Sequence, residues 1–178
     1  MLDTLITSKT RVKLLMKFFL NSNSSAYLRS LENEFGESSN AIRMELNRFE
    51  QANLLASSTQ GNRKYYMANK KHPLFSDIHN LVMKHIGIDQ VIDKVVNKLG
   101  AVDEVYLVGD FARGCDGPVI DLIFSGVALD KMYLMRLVEK CELLIDRHIR
   151  YMVFDQHAIK DFLKDYKPEE ILLLFKQQ

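Results

Sequence analysis

The apolar residues of this chain change their period once, near residue 100, and that change limits the folds open to it. Before it they recur at helical spacing. Val12, Leu15, Met16 and Phe19 follow i, i+3, i+4, i+7, which predicts a helix over residues 8–20. Leu28, Leu31 and Phe35 predict a second over 26–35, closed by Gly36, a residue suited to a left-handed C-cap. Ser38 or Ser39 starts a third, to about Gln51, with Ile42, Leu46 and Phe49 inward. Helices are also predicted over 72–86, with Pro73 in the first turn, and over 88–99, on either side of Gly87. After residue 100 the apolar residues gather in short continuous runs. Val105–Val108, Val119–Phe124 and Ile149–Phe154 read as buried strands. Residues 131–145, 158–163 and 168–175 read as helices.

Between the third helix and residue 72 the pattern is that of a hairpin. Thr59-Gln60-Gly61-Asn62 is a turn signal, and Lys64-Tyr65-Tyr66-Met67 has strand character. The chain therefore divides near Gly87 into two modules, 1–87 and 88–178, although helix 88–99 has an apolar face that either could cover. Charge divides with it. Residues 1–88 hold 12 Lys and Arg against 7 Asp and Glu, whereas residues 89–178 hold 12 against 16. A basic module beside an acidic one points to an anionic partner for the first. Small domains also differ in charge with no functional cause.

Other classes are excluded more simply. No apolar run approaches the ~18 residues of a membrane span. The start, Met1-Leu2-Asp3-Thr4, lacks the basic and apolar regions of a secretion signal. Two cysteines, Cys115 and Cys141, make neither a disulfide framework nor a zinc site, so a cytoplasmic location is expected. His72, His79, His85, His148 and His157 show no metal-ligand spacing. Cys115 has no base evident beside it, and Tyr65-Tyr66 reads as packing.

Helix, helix, tight turn, helix, hairpin is the order of a winged helix-turn-helix. The stretch "SSNAIRMELNRFEQANLL" resembles the recognition helix and the start of the wing in ArsR- and MarR-type bacterial repressors. In those families the helix ends roughly as Leu-Glu-x-x-Gly-Leu-Leu. Here it reads Phe49-Glu50-Gln51-Ala52-Asn53-Leu54-Leu55, with Asn53 in the glycine position. With Ile42, Leu46 and Phe49 inward, the opposite face presents Ser39, Asn40, Arg43, Met44 and Asn47. Arg suits guanine and Asn suits adenine in the major groove. Ser38 and Ser39, at the helix start, suit phosphate. Arg48 is expected to reach the DNA backbone, and Asn62, Arg63 and Lys64 are the wing's contacts. Double-stranded DNA is the implied partner. One such module reads about half a site, so a homodimer is expected, with helix 7–20 or the pair 73–99 as its interface.

The second module carries "LVGDFARGCDGPVIDLIF". Strand, glycine turn, strand, helix, strand resembles the minimal nucleotidyltransferase fold. Its members place Gly-Ser after the first strand, often as "GSxARG", an Asp-x-Asp pair on the next strand, and a third acid on a later one. Such sites hold nucleotide phosphates at the glycine turn and two Mg²⁺ on the carboxylates. Gly109 and the run Ala112-Arg113-Gly114 match. Asp110 replaces the Ser, Val119-Ile120-Asp121 replaces Asp-x-Asp, and Asp155 is the candidate third acid. These departures argue against catalysis, and Mg²⁺ is expected only if the site is active. Gly109, Asp110, Arg113, Gly114, Asp121 and Asp155 form a candidate ligand site with no catalytic residue assigned. The implied fold is α+β: an N-terminal winged helix-turn-helix followed by a small α/β nucleotidyltransferase-like domain. The implied function is a sequence-specific transcriptional regulator. Its second domain would sense a nucleotide or sugar nucleotide, or dock a protein. The alternatives are a metal-dependent nucleotidyltransferase with an accessory winged helix and a protein-interaction module with no nucleic-acid role.

Overall fold

The computed structural model describes residues 2–99, 102–145 and 147–177. The chain forms two compact units, Met1–His85 with Gly114–Asp116, and Ile86–Arg113 with Gly117–Gln178. Both are mixed α and β.

The first unit begins with α1 (Leu2–Leu5) and α2 (Lys9–Leu15). The Ser8 hydroxyl oxygen accepts from the Arg11 N–H at 3.2 Å and caps α2. The predicted helix over 8–20 is not α-helical throughout. It passes into a π-helical segment, Met16–Leu20, every residue of which is buried, including Phe18 and Phe19. The second predicted helix also starts later than its apolar spacing suggests. Ser25–Tyr27 is a strand, β1, and α3 covers Leu28–Phe35. The reason is tertiary. β1 lies antiparallel to the wing, Ala26 opposite Tyr66, and the Tyr27 ring packs edge-on against Tyr65.

Gly36 ends α3 at φ +64°, as a left-handed cap requires. Ser38 caps α4 (Ser39–Gln51) by accepting from the Ala41 N–H at 3.2 Å. Ile42, Leu46 and Phe49 are buried as their spacing predicts. Asn53 takes the left-handed turn at φ +56° and leads into the hairpin β2 (Leu55–Gln60) and β3 (Arg63–Ala68). The sheet order is β1-β3-β2. This is winged helix-turn-helix topology. Helix α5 (Phe75–Ile86) begins after Pro73 rather than at residue 72.

The second unit opens with α6 (Ile88–Leu99) and β4 (Val102–Val108). After them come a short helix α7 (Gly109–Ala112), β5 (Val119–Gly126) and α8 (Lys131–Ile145). β6 (His148–Phe154) completes the predicted order of strand, glycine turn, strand, helix and strand, and α9 (Ala158–Leu163) follows it. The sheet runs β6-β5-β4-β7, with β5 and β6 parallel and the other pairs antiparallel. The final strand corrects the sequence reading, which made 168–175 a helix. Only Pro168–Glu170 is helical, a single 3₁₀ turn, and Ile171–Lys176 is strand β7. An apolar run of five residues fits a helix or a strand equally well. The open edge of β4 decides it, pairing Leu107 with Leu172 and Val105 with Phe175. Val108, Ile123 and Ile159 then pack with Tyr106, Phe154, Phe162 and Ile171 into one core. Among the described residues no helix is long and apolar enough to cross a membrane.

Candidate nucleic-acid interface and the Gly109 turn

Helix α4 turns Asn40, Arg43, Met44 and Asn47 outward, with Ser38 exposed at its cap and Ser39 half-buried beside it. The Asn40 amide rests 3.9 Å from the Met44 sulfur. The hairpin stands beside this face and carries Asn62, Arg63 and Lys64, all exposed. Between helix and wing lies a groove of about 830 Å³. Arg43, Asn47, Asn62, Arg63 and Lys64 line it, as do Arg29, Asn33, Tyr27, Leu28, Leu46 and Tyr66. Among the described residues four cations and no carboxylate line this groove.

The cations differ in how they are held. Among the described residues neither Arg43 nor Arg29 has an acidic partner. Arg63 lies over the Tyr27 ring, 4.7 Å from its centroid, which fixes its direction without neutralising it. Lys64 bonds Glu50 at 2.7 Å, and Glu50 also accepts from the Ser57 hydroxyl at 2.5 Å. The Lys64 and Ser57 hydrogen bonds hold the Glu50 carboxyl below its usual range, and Glu50 in turn raises Lys64. The wing is thereby tied to the end of α4.

Arg48, expected at the DNA backbone, is held by a neighbour on its own helix. Its guanidinium bonds Glu45 at 3.0 Å, and it does not line the groove. Glu45 is buried on the α4 face toward α2, where Arg11 bonds it at 2.9 Å and Ser8 at 3.2 Å. A buried carboxylate attracts any cation within reach, because desolvation without a partner is costly. Conversely, Arg29, Asn33 and Tyr27 line the groove although none is among the contacts expected from the sequence. The signal was present: Arg29 and Asn33 are i, i+4 on the side of α3 away from Leu31, so they share one polar face.

In the second unit, β4 ends at Val108 and the chain turns at Gly109, φ +71°. A Cβ there would stand 3.5 Å from the Asp121 carboxylate, so these two positions do come together. The other candidates do not join them as a ligand site. Asp110 is exposed and pairs with Arg113 one turn on, while Arg113 also reaches Glu170 at 3.4 Å. Gly114 belongs to the first unit. Its φ is +80°, and a Cβ there would stand 2.4 Å from Lys17 Cα. It is glycine because backbone passes against it.

Asp155 is separated from Asp121 by strand direction. β5 and β6 are parallel, with Asp121 opposite Arg150 and Ser125 opposite Phe154. Asp155 therefore lies about five residues beyond the level of Asp121, roughly 16 Å along the sheet. It accepts from the Ala158 N–H at 2.9 Å and supports the start of α9. The β6 residue level with Asp121 is a cation. Arg150 engages both Asp121 oxygens, Nη2 to Oδ2 at 2.9 Å and Nε to Oδ1. Two Mg²⁺ need several carboxylate oxygens converging on one point. The described side chains here do not fit that need: Asp110 is paired with Arg113, and a guanidinium already occupies Asp121. Among the described residues no three His, Cys, Asp or Glu side chains gather at a metal-sized site.

No family model and no curated protein matches the chain. Among solved structures it is similar to reduced HlyU from Vibrio cholerae, at 13% identity, 47% of this chain, 82% of that one and a TM-score of 0.37. It is also similar to the adhesin competence repressor AdcR from Streptococcus pyogenes, at 16%, 55%, 72% and 0.38. A third is a protein described as a nucleotidyltransferase from Sulfolobus solfataricus, at 23%, 57%, 88% and 0.39. The similar structures thus include winged-helix regulators and nucleotidyltransferases.

Proposed function

We propose that the chain is a sequence-specific DNA-binding transcriptional regulator that works as a homodimer. Its winged helix is fused to a nucleotidyltransferase-like unit that binds a ligand or docks a protein and does not transfer nucleotides. The observation that carries this reading is the groove of α4 and the wing, lined among the described residues by four cations and no carboxylate. Arg43 and Asn47 stand one turn apart on the exposed face of a helix, the placement that lets Arg read guanine and Asn read adenine. Arg29 and Arg63 flank them, where phosphates pass on either side of an inserted helix. A ligand of the second unit, a nucleotide or sugar nucleotide for instance, would act by favouring one spacing of the two recognition helices over another.

The test is selection of bound duplexes from a random pool, repeated with Arg43→Ala and over a range of salt. An enriched sequence, lost in the variant and weakened steeply by salt, supports the reading. Folded protein that enriches nothing overturns it. The enzymatic alternative rests on the approach of Gly109 to Asp121. It predicts transfer of label from a nucleoside triphosphate to an acceptor, abolished by Asp121→Asn. Seeing that transfer would replace binding with turnover for the second unit.

A further inference from the structure

Helix α8 is covered on one side. Leu134, Leu137, Val138 and Cys141 are buried. The other side carries Met132, 59% exposed, and Leu143, 87% exposed. A side chain as apolar as Leu143 gains nothing from water, and its neighbours on that side form a pattern. Met132, Arg136, Glu139 and Leu143 follow i, i+4, i+7, i+11, so they make one stripe along the helix. The stripe is apolar at its two ends and charged at its centre. Among the described residues Arg136 and Glu139 have no ionic partner. Beside Leu143 and Glu139 lies a hollow of about 500 Å³, lined also by Pro118, Glu142, Arg147 and His148.

The pattern is complementary to itself. Met132 and Leu143 share a midpoint with Arg136 and Glu139, between Leu137 and Val138. If two copies of α8 lie antiparallel about a two-fold axis at that midpoint, Met132 stands level with Leu143 of the other copy. Arg136 then stands level with Glu139 of the other copy, and each relation occurs twice. A parallel pairing would set Arg136 against Arg136 and Glu139 against Glu139. The unbranched Met132 is suited to an irregular hollow such as the one beside Leu143. The stripe has no excess of either charge, so nothing in it favours an anionic surface over a second copy.

We infer that α8 is a homodimer contact: it pairs antiparallel with α8 of a second copy, with Met132 seated beside Leu143 and Arg136 against Glu139 across the axis. This rests on the dimeric reading above but places the contact away from helices 7–20 and 73–99. Sedimentation equilibrium on the full chain tests it, with four variants compared. Wild type is expected to be a dimer. Arg136→Glu and Glu139→Arg are each expected to weaken it at least about tenfold, because each sets like charges together at two places. The double variant Arg136→Glu/Glu139→Arg restores opposite charges and is expected to return to within a few-fold of wild type. Leu143→Arg is expected to give monomer. These residues are exposed, so far-ultraviolet circular dichroism spectra at 20 °C should match wild type and show that folding is intact. A wild-type monomer at all concentrations overturns both this contact and the dimeric reading. A wild-type dimer that the single variants leave intact, or that the double variant fails to rescue, overturns this contact alone.

Discussion

The guanidinium of Arg150 lies across the carboxylate of Asp121, on adjacent parallel strands and in register. The protein thus supplies its own cation to the carboxylate beside the Gly109 turn. Millimolar Mg²⁺ should therefore leave the thermal midpoint unchanged within about 1 °C. Saturating binding to the folded state alone would stabilise it by about 2.7 kcal/mol at a hundredfold excess over Kd, a rise of roughly 5–10 °C. A scanning-fluorimetry series with and without Mg²⁺ separates the two. The pair itself is exposed on the Arg150 side, so Asp121→Asn should cost only about 0.5–1 kcal/mol.

Glu45 joins α2 to α4. Burial acts to raise its carboxyl. The hydrogen bond and charge of Arg11, the Ser8 hydroxyl and the charge of Arg48 together outweigh burial, so the folded value lies below the usual 4.5. A carboxyl lowered by folding contributes stability that is full above its unfolded value and is lost as pH falls through its folded value. Glu45→Gln should cost about 1–3 kcal/mol near neutral pH, the partial exposure of both arginines reducing the larger cost of a fully buried pair. Urea midpoints of wild type and variant should converge below about pH 4.5. A gap of constant size across that range would show that the charge of Glu45 contributes nothing.

Two left-handed glycines should differ when replaced by alanine. At Gly36 a Cβ meets nothing within 4 Å, so only the backbone conformation is strained, at about 1 kcal/mol. At Gly114 the same strain adds to overlap with the Lys17 backbone and the Met16 carbonyl at 2.6 Å. Gly114→Ala should cost about 2–4 kcal/mol. Equal losses in denaturant titrations would mean that Gly114 does not lie against that backbone.

The arginines of the first unit should separate by salt and by sequence. Arg29→Ala should weaken DNA binding alike on all sequences and reduce the slope of log K against log salt by about 0.9. Arg43→Ala should cost about 1–3 kcal/mol and relax preference at one base position. Arg48→Ala should lower the salt slope by less than Arg29→Ala does, because its guanidinium is held back by Glu45 and lies outside the groove. A fluorescence-anisotropy series over salt measures all three. A loss from Arg48→Ala as large as that from Arg29→Ala would return Arg48 to the phosphate backbone.

The amphipathic helices were legible because their information is local. Ile42, Leu46 and Phe49 point inward by spacing alone, and Gly36 and Asn53 mark the two left-handed turns that bound α4. The same spacing placed Arg43 and Asn47 on the open face. Whether a short segment is helix or strand was not legible at Ser25–Tyr27 or Ile171–Lys176. Each is a strand because an unpaired sheet edge accepts it, and those edges are made by residues far away in sequence.

Residue types and periods by themselves determined that this chain has a helical, basic first part with a wing and an α/β second part with a weakened glycine-turn motif. Only the tertiary structure decided which charges are available. Arg48 is taken by a buried Glu45, Arg29 joins Arg43 in the groove, and Asp155 lies at the far end of the sheet from Asp121. The physical reason is that an ionised side chain is governed by the nearest opposite charge and by its depth from water. Those distances run between elements, whereas sequence spacing reports only what lies within one element.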